Sequence, residues 1–213
     1  MNGEIRKFGK AALTFLPVLA LATHLRAQTS DNAWEFPDLT ATQVFHMAKY
    51  DMTMKVYRSG SSVRVERSPA ITTLYAPASG KVYSLTTYPD GTHQCVVMRT
   101  DQAKMLESPL ELLYGSKVKR TPAGTEVVEG HTCKVEIADV TRPDGKTIRS
   151  KVWEAEDLKG APVKIESQLP ETKLTAIYRD IVLGTPDKAL FSPPEKCTPL
   201  EKMGQVAEHQ ENK

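Results

Sequence analysis

Beyond residue 36, apolar and polar side chains alternate along the chain, and turn residues interrupt the alternation at short intervals. Neighbouring side chains of a strand point to opposite faces of a sheet, so a period of two predicts β-strands. Tyr50, Met52, Met54 and Val56 share one parity, and the turn residues 59–61 follow them. Val63 and Val65 then begin a second alternating run. Residues 50–65 are therefore predicted to form a β-hairpin.

The same pattern continues through the rest of the chain. Further predicted strands cover residues 71–75, 82–88, 92–99, 125–128, 133–137, 148–154, 163–166 and 174–183. The turn signals between them include Pro, Asp or Gly at 77–80, 89–91, 129–130 and 143–145. Short strands joined by tight turns favour an antiparallel meander of about ten strands.

One helix interrupts the predicted strands, at residues 101–114. Ser108 and Pro109 are typical of a helix start, and Gly115 ends the segment. A flat sheet of this size would leave one apolar face in water, so we expect the sheet to curl, to close or to be covered by helices. A curled sheet has a concave apolar surface, which is where a ligand would bind.

Composition places the chain among soluble globular proteins, with 213 residues, 40% hydrophobic and 25% charged. The net charge of +2 comes from the first 27 residues, since the remainder carries 24 basic and 25 acidic residues. The basic run 117–120 has no interleaved aromatic residues. A nucleic-acid partner is therefore not expected.

The first 27 residues have the layout of a secretory signal peptide. A basic region ends at Lys10, an apolar run covers 11–22, and small residues offer cleavage after Ala22 or Ala27. The apolar run is shorter than the roughly 20 residues of a membrane-spanning helix, so no stable anchor is expected after cleavage. We expect a periplasmic or secreted protein with a signal peptide at 1–27, one domain at 37–200 and a polar tail at 201–213.

The mature part contains three cysteines, Cys95, Cys133 and Cys197. An oxidising compartment allows one pair to form a disulfide, and the sequence leaves all three pairings open, as well as the fully reduced state.

The sequence lacks the common nucleophile, phosphate-loop and zinc-protease motifs, so we expect a non-enzymatic protein without a cofactor. The nearest approach to a metal motif is a repeated His-x-Cys, at His93 and Cys95 and again at His131 and Cys133. Two such strands side by side would offer a tetrahedral zinc site. We treat this site, and a hydrolase or metal enzyme built on it, as the weakest hypothesis.

Apolar residues at same-face positions of successive strands are the main candidate site. They form either the core alone or, in part, a pocket for an apolar ligand, in which unbranched methionine adapts to a flexible chain. The candidates are Tyr50, Met52, Met54, Val56, Val63, Val65, Tyr83, Leu85, Val135, Ile137, Trp153 and Ile165.

The order of these features resembles the LolA-like superfamily of bacterial envelope proteins, in its outer-membrane lipoprotein-sorting-like branch. The resemblance covers about residues 37 to 197 and follows a signal peptide. It is carried by the segments 57–66, 81–85, 124–135, 151–153 and 160–166, by Tyr178-Arg179-Asp180-Ile181, and by Pro186, Leu190-Phe191 and Pro193-Pro194.

The resemblance implies a mainly β fold, namely an incomplete β-barrel of about 10–11 antiparallel strands in a single curved sheet, with one or two short helices on the concave side. It also implies a cavity for lipoprotein acyl chains or lipids. The leading hypothesis is therefore an exported binding or carrier protein that holds a lipid, an acyl chain or an acylated protein. The alternative is an envelope structural or protein-interaction module without a small ligand.

Overall fold

The computed structural model describes residues 29–30, 36–48, 50–100, 117–141, 145–169 and 172–203. The predicted signal peptide and the predicted helix at 101–114 lie outside these residues. No helix within the described ranges is long and apolar enough to cross a membrane.

Within the described residues, thirteen strands form one sheet. Their bounds are β1 Thr29–Ser30, β2 Leu39–Met47, β3 Tyr50–Ser59, β4 Ser62–Ser68, β5 Ile71–Ala76, β6 Lys81–Thr87, β7 His93–Arg99, β8 Lys117–Val128, β9 His131–Thr141, β10 Thr147–Ala155, β11 Ala161–Gln168, β12 Lys173–Leu183 and β13 Thr198–Pro199. The order in the sheet is β1-β8-β9-β10-β11-β12-β2-β3-β4-β5-β6-β7-β13. The prediction of a single curved antiparallel sheet is confirmed.

Most neighbouring strands are consecutive hairpins, as the turn signals predicted. At the β8–β9 turn, Glu129 and Gly130 both have positive φ, 50° and 85°, the conformation that two-residue hairpin turns require. The pairing that unites the two halves of the chain is not local. β12 lies antiparallel to β2, with Ala176 opposite Phe45. Strand β2 was not among the predicted strands.

One face of the sheet carries the main hydrophobic core, and we call it the inner face. The strand register places these side chains in line from β10 to β4, for example Val152 opposite Ile165 and Val56 opposite Val65. Their cluster also extends to β8 and β6 through Val118 and Val82. A curled sheet buries such a continuous apolar face, in agreement with the half-barrel that the sequence predicted.

The opposite, outer face is crossed by residues 184–203, which we call the C-terminal strap. A short 3-10 turn, Lys188–Phe191, lies beside β4, where the Arg64 Nη1 donates to the Leu190 carbonyl at 3.1 Å. Cys197 forms a disulfide with Cys95 of β7, and β13 then pairs in parallel with β7. The strap therefore runs from β4 to the β7 edge of the sheet.

The disulfide decides among the pairings that the sequence left open. Cys95 and Cys197 are bonded, and Cys133 is a free, buried thiol. The end of the strap, residues 200–203, forms one helical turn, and the Gln94 amide contacts the Met203 sulfur at 3.9 Å. The predicted polar tail begins within this turn, and residues 204–213 lie outside the described part.

Candidate functional site

The residues predicted to line one apolar cavity are divided between the two faces of the sheet. The candidates within any one strand do share a face, as predicted. The register shows, however, that the candidate side chains of β6, β9 and β10 lie on the outer face. Tyr50 lies at the start of β3, opposite Met47, and is 68% exposed. On the inner face are Met52, Met54, Val56, Val63, Val65 and Ile165; on the outer face are Tyr83, Leu85, Val135, Ile137 and Trp153.

The inner-face group is tightly buried. Val56 and Val65 have no exposed surface, and Ile165 is 1% exposed. Around this centre, methionines are concentrated: Met54 is buried, and Met47, Met52 and Met98 are partly buried against the same cluster. The inner face is thus closed at its centre and methionine-rich where it becomes accessible.

Polar groups on the inner face are mostly paired. The Ser150 and Ser167 hydroxyls are 2.8 Å apart. Arg120 forms ion pairs with Glu136 and, at 2.7 Å, with Glu154. The Thr73 hydroxyl is buried without a hydrogen-bond partner. These groups make the inner face less uniformly apolar than the sequence pattern suggested.

Trp153 lies under charged side chains on the outer face rather than in a cavity. The Nζ atoms of Lys151 and Lys164 each lie 4.5 Å from its ring centroid, within the range of cation–π attraction. Its indole Nε1 donates to the Glu126 carboxylate at 2.8 Å. Trp153 is 2% exposed. Its contacts with Glu126, Lys151 and Lys164 connect β8, β10 and β11 on the outer face.

The predicted zinc site is not formed. Eight strands separate β7 from β9 in the sheet order, so the two His-x-Cys segments do not pair. Cys95 forms the disulfide with Cys197 and has no free thiol to bind zinc. His93 contacts the Thr87 hydroxyl. No cluster of three metal-ligating side chains occurs among the residues that the structure describes.

Cys133 is also unsuited to nucleophilic chemistry. Its thiol has no exposed surface and donates to the His131 carbonyl at 3.4 Å. Burial is the main cause that raises the pKa of Cys133, with smaller effects from Asp157, Glu126 and Glu156. A thiol that resists ionisation is a poor nucleophile.

A cleft of about 280 Å³ lies where the sheet partly opens beside β12. Strand β11 pairs with β12 only as far as Lys164 opposite Ile177, whereas β12 continues to Leu183 along β2. Within this stretch a bulge shifts the register between Arg179 and Val182. Asp180 lies at the bulge with φ 51°. The cleft is lined by Glu129, His131, Leu158, Tyr178, Arg179, Asp180 and Ile181.

An ion pair connects the two sides of the cleft. Arg179 donates from Nε and Nη2 to the two Glu129 oxygens, each at 3.0 Å. This bidentate contact lowers the pKa of Glu129 and raises the pKa of Arg179. It joins the β8–β9 turn to β12, two elements that are not neighbours in the sheet.

Two further ionisable groups lie at the cleft. His131 Nδ1 is 2.8 Å from an Asp157 oxygen. Asp180 is exposed at the bulge, and its negative charge contributes to raising the pKa of Arg179. The apolar floor comes from Leu158 and Ile181, which pack against both core clusters. The cleft therefore combines an apolar floor with charged side chains of both signs.

Sequence reasoning missed this cleft. The available signal was a change of phase in β12, where the alternation of Leu174, Ala176 and Tyr178 is followed by the charged pair Arg179-Asp180 and then Ile181. Such an interruption indicates a bulge. The ion pair with Glu129 could not be predicted, because it depends on the three-dimensional path of the β8–β9 turn.

No family model matches the sequence, and no curated protein matches it. Solved structures of similar form do exist. Members of the LolA superfamily are among them. A LolA superfamily protein from Nitrosomonas europaea has 10% identity and a TM-score of 0.37, with 74% of this chain and 90% of that chain covered.

Two other structures show likeness of the same order. A structure of PNGF-II has 12% identity and a TM-score of 0.41, covering 77% of this chain but 31% of that one. The MucA/MucB complex of Pseudomonas aeruginosa has 16% identity and a TM-score of 0.37, covering 76% of this chain and 57% of that one. This chain thus spans about a third and just over half of their lengths. At these TM-scores the likeness carries no argument about ligand, partner or activity.

Proposed function

We propose that this chain is an exported, non-enzymatic binding protein of the bacterial envelope whose inner sheet face receives an apolar moiety, namely a lipid, an acyl chain or an acylated protein. The observation that carries the proposal is the methionine-rich border of the continuous apolar face. Methionine is flexible and polarizable, and it is used on surfaces that adapt to varied apolar partners.

The location of the methionines supports this role over a purely structural one. Met54 lies in the closed centre, while Met47, Met52 and Met98 are only partly buried against the same cluster. An apolar chain that entered beside them would extend an existing apolar surface, and its burial would contribute roughly 0.8 kcal/mol per methylene. The Cys95–Cys197 disulfide supports export, since such bonds persist in oxidising compartments.

The first test is native mass spectrometry of the mature protein from its own envelope, followed by organic extraction. A bound lipid or acylated peptide is the expected result. A clean apo mass from gently handled protein would contradict the proposal and favour the alternative, a protein-interaction module.

A pair of variants localises the ligand. Met52→Lys places a charge at the inner face, whereas Thr53→Lys places the same charge on the outer side of the same strand, where Thr53 is exposed. We expect Met52→Lys to abolish binding of a fluorescent fatty acid and Thr53→Lys to preserve it. Equal binding by both variants would show that the inner face is not the site.

A further inference from the structure

We propose that the hydroxyls of Thr73 and Ser84 form a subsite of the inner face that binds the carbonyl oxygen of an ester- or amide-linked acyl chain. The inference rests on the proposed function, because it names the polar group that would hold one end of the apolar ligand. Two observations carry it, a buried hydroxyl without a hydrogen-bond partner and a second hydroxyl directly opposite it.

Thr73 lies on the inner face of the sheet. In the register of β4 with β5 it stands opposite Val65, which has no exposed surface and belongs to the main core. On its other side it stands opposite Ser84 of β6. Thr73 is only 4% exposed. Its hydroxyl is therefore directed into the inner face and shielded from water.

The Thr73 hydroxyl has no hydrogen-bond partner. Burial without a partner destabilises the folded state, because the hydroxyl has lost its bonds to water and gained none in exchange. Valine has nearly the same shape and would fill position 73 without this loss. Thr73 thus carries a polar group that the folded chain does not use and that a bound ligand would satisfy.

Another pair of hydroxyls shows how two opposing side chains on this face can satisfy each other. Ser150 and Ser167 stand opposite each other in β10 and β11, and their hydroxyls lie 2.8 Å apart. Thr73 and Ser84 are related in the same way in β5 and β6, so their Cβ atoms are about 4.5–5.5 Å apart. Their hydroxyls nevertheless do not bond to each other, since that of Thr73 has no partner. Both are left able to donate to one oxygen atom of a ligand.

The inner face becomes accessible beside this pair. Ser84 is partly buried, and so are its register partner Val96 and, two residues further along β7 on the same face, Met98. Methionine adapts its shape to an incoming apolar chain. A ligand can therefore reach Thr73 from the β6–β7 side of the sheet.

The chemistry of the two hydroxyls selects the kind of oxygen that binds. They donate hydrogen bonds and carry no charge, and a carboxylate loses far more on leaving water than a neutral carbonyl does. A carbonyl oxygen has two lone pairs and can accept from both hydroxyls at once. Esters and amides of fatty acids therefore suit the subsite better than free fatty acids.

The test compares two competitors, methyl hexadecanoate and methyl hexadecyl ether, which differ only in the carbonyl oxygen. Each is titrated against the fluorescent fatty acid bound to the mature protein. We expect the ester to bind about tenfold more tightly than the ether, a difference of about 1.4 kcal/mol. Equal affinities would overturn this inference alone, whereas binding of neither competitor and of no fluorescent fatty acid would overturn the proposed function as well.

Thr73→Val is the matching protein variant, because it removes the hydroxyl and keeps the shape. We expect it to bind ester and ether with similar affinity. Its unfolding midpoint in urea should be no lower than that of the wild type, since the unpaired hydroxyl is gone. Thr72→Val makes the same change on the outer face of the same strand, opposite Leu85, and should keep the preference for the ester. A preference that survives in Thr73→Val, or is lost equally in both variants, would overturn the assignment.

Two further variants complete the test. Thr73→Ser keeps the hydroxyl and should keep the preference for the ester. Ser84→Ala removes the second, only partly buried hydroxyl, so it supplies a measurement even where Thr73→Val does not fold. We expect Ser84→Ala to reduce the preference by about threefold, the loss of one hydrogen bond. An unchanged preference in Ser84→Ala would contradict the arrangement of two donors around one oxygen.

Discussion

Cys95 on β7 is covalently bonded to Cys197 on the C-terminal strap, 102 residues further along the chain. The bond fixes the strap at the β7 edge of the sheet, next to the short parallel pairing of β13 with β7. Parallel pairing over two residues contributes little alone, so the disulfide is the principal constraint on this end of the fold.

Removal of this disulfide should destabilise the protein considerably. In the chain-entropy model, a loop of about 100 residues contributes about 4–5 kcal/mol. We expect the Cys95→Ser, Cys197→Ser double variant to lose stability of this order, measured by urea unfolding. The control is Cys133→Ala, which should keep the wild-type response to a reducing agent. An unchanged unfolding midpoint in the double variant would show that the strap is held by its other contacts.

Two aromatic residues on neighbouring strands should differ sharply in their contribution to stability. Phe45 is 1% exposed in the inner core, whereas Tyr50 is 68% exposed. Phe45→Ala should lower the free energy of unfolding by about 3–5 kcal/mol, because it leaves a cavity. Tyr50→Ala should change it by no more than about 0.5 kcal/mol. Similar losses in thermal unfolding of the two variants would contradict the assignment of the inner face.

Local sequence signals predicted much of this fold. Alternation and turn residues located β3 to β7 and the later hairpins, because each hairpin is specified by residues close together in sequence. Strand β8 was predicted only from Thr125, although it begins at Lys117. Pro122 and Gly124 interrupt its pattern, and the structure accommodates them with a register shift.

It was harder to predict which face of the sheet each set of alternating side chains occupies. Parity groups Val135 with Ile137, but it does not say whether that group or Ala138 and Val140 point inward. That choice depends on the register with distant strands, above all the pairing of β12 with β2. The candidate cavity therefore mixed two faces, and the cleft at the β12 bulge was missed.

The backbone conformation at the β12 bulge restricts which residue types can occupy position 180. Asp180 has φ 51°, a conformation that aspartate tolerates and β-branched residues resist. Asp180→Val should destabilise the protein by about 1–2 kcal/mol. Asp180→Gly removes the same carboxylate without conformational strain and should be at least as stable as wild type. Chemical denaturation of the two variants distinguishes backbone strain from loss of charge, since equal losses would point to the charge.

The Glu129–Arg179 ion pair makes the link between the β8–β9 turn and β12 dependent on pH. Arg179 lowers the pKa of Glu129 in the folded protein, so the folded state binds fewer protons there than the unfolded state in mild acid. The stabilisation is therefore present above the ordinary glutamate pKa and is lost as the pH falls through the lowered value. Because both side chains are substantially exposed, the effect should be small and reduced by salt.

A double-mutant cycle with Glu129→Gln, Arg179→Gln and the combined variant measures this interaction without the other effects of each substitution. We expect a favourable coupling free energy at about pH 7, which is lost as the pH falls through the lowered pKa of Glu129. The single variants should also increase amide hydrogen exchange in the β8–β9 turn at neutral pH, since the turn is then released from β12. A coupling that persisted unchanged in acid would show that the two side chains interact through packing rather than charge.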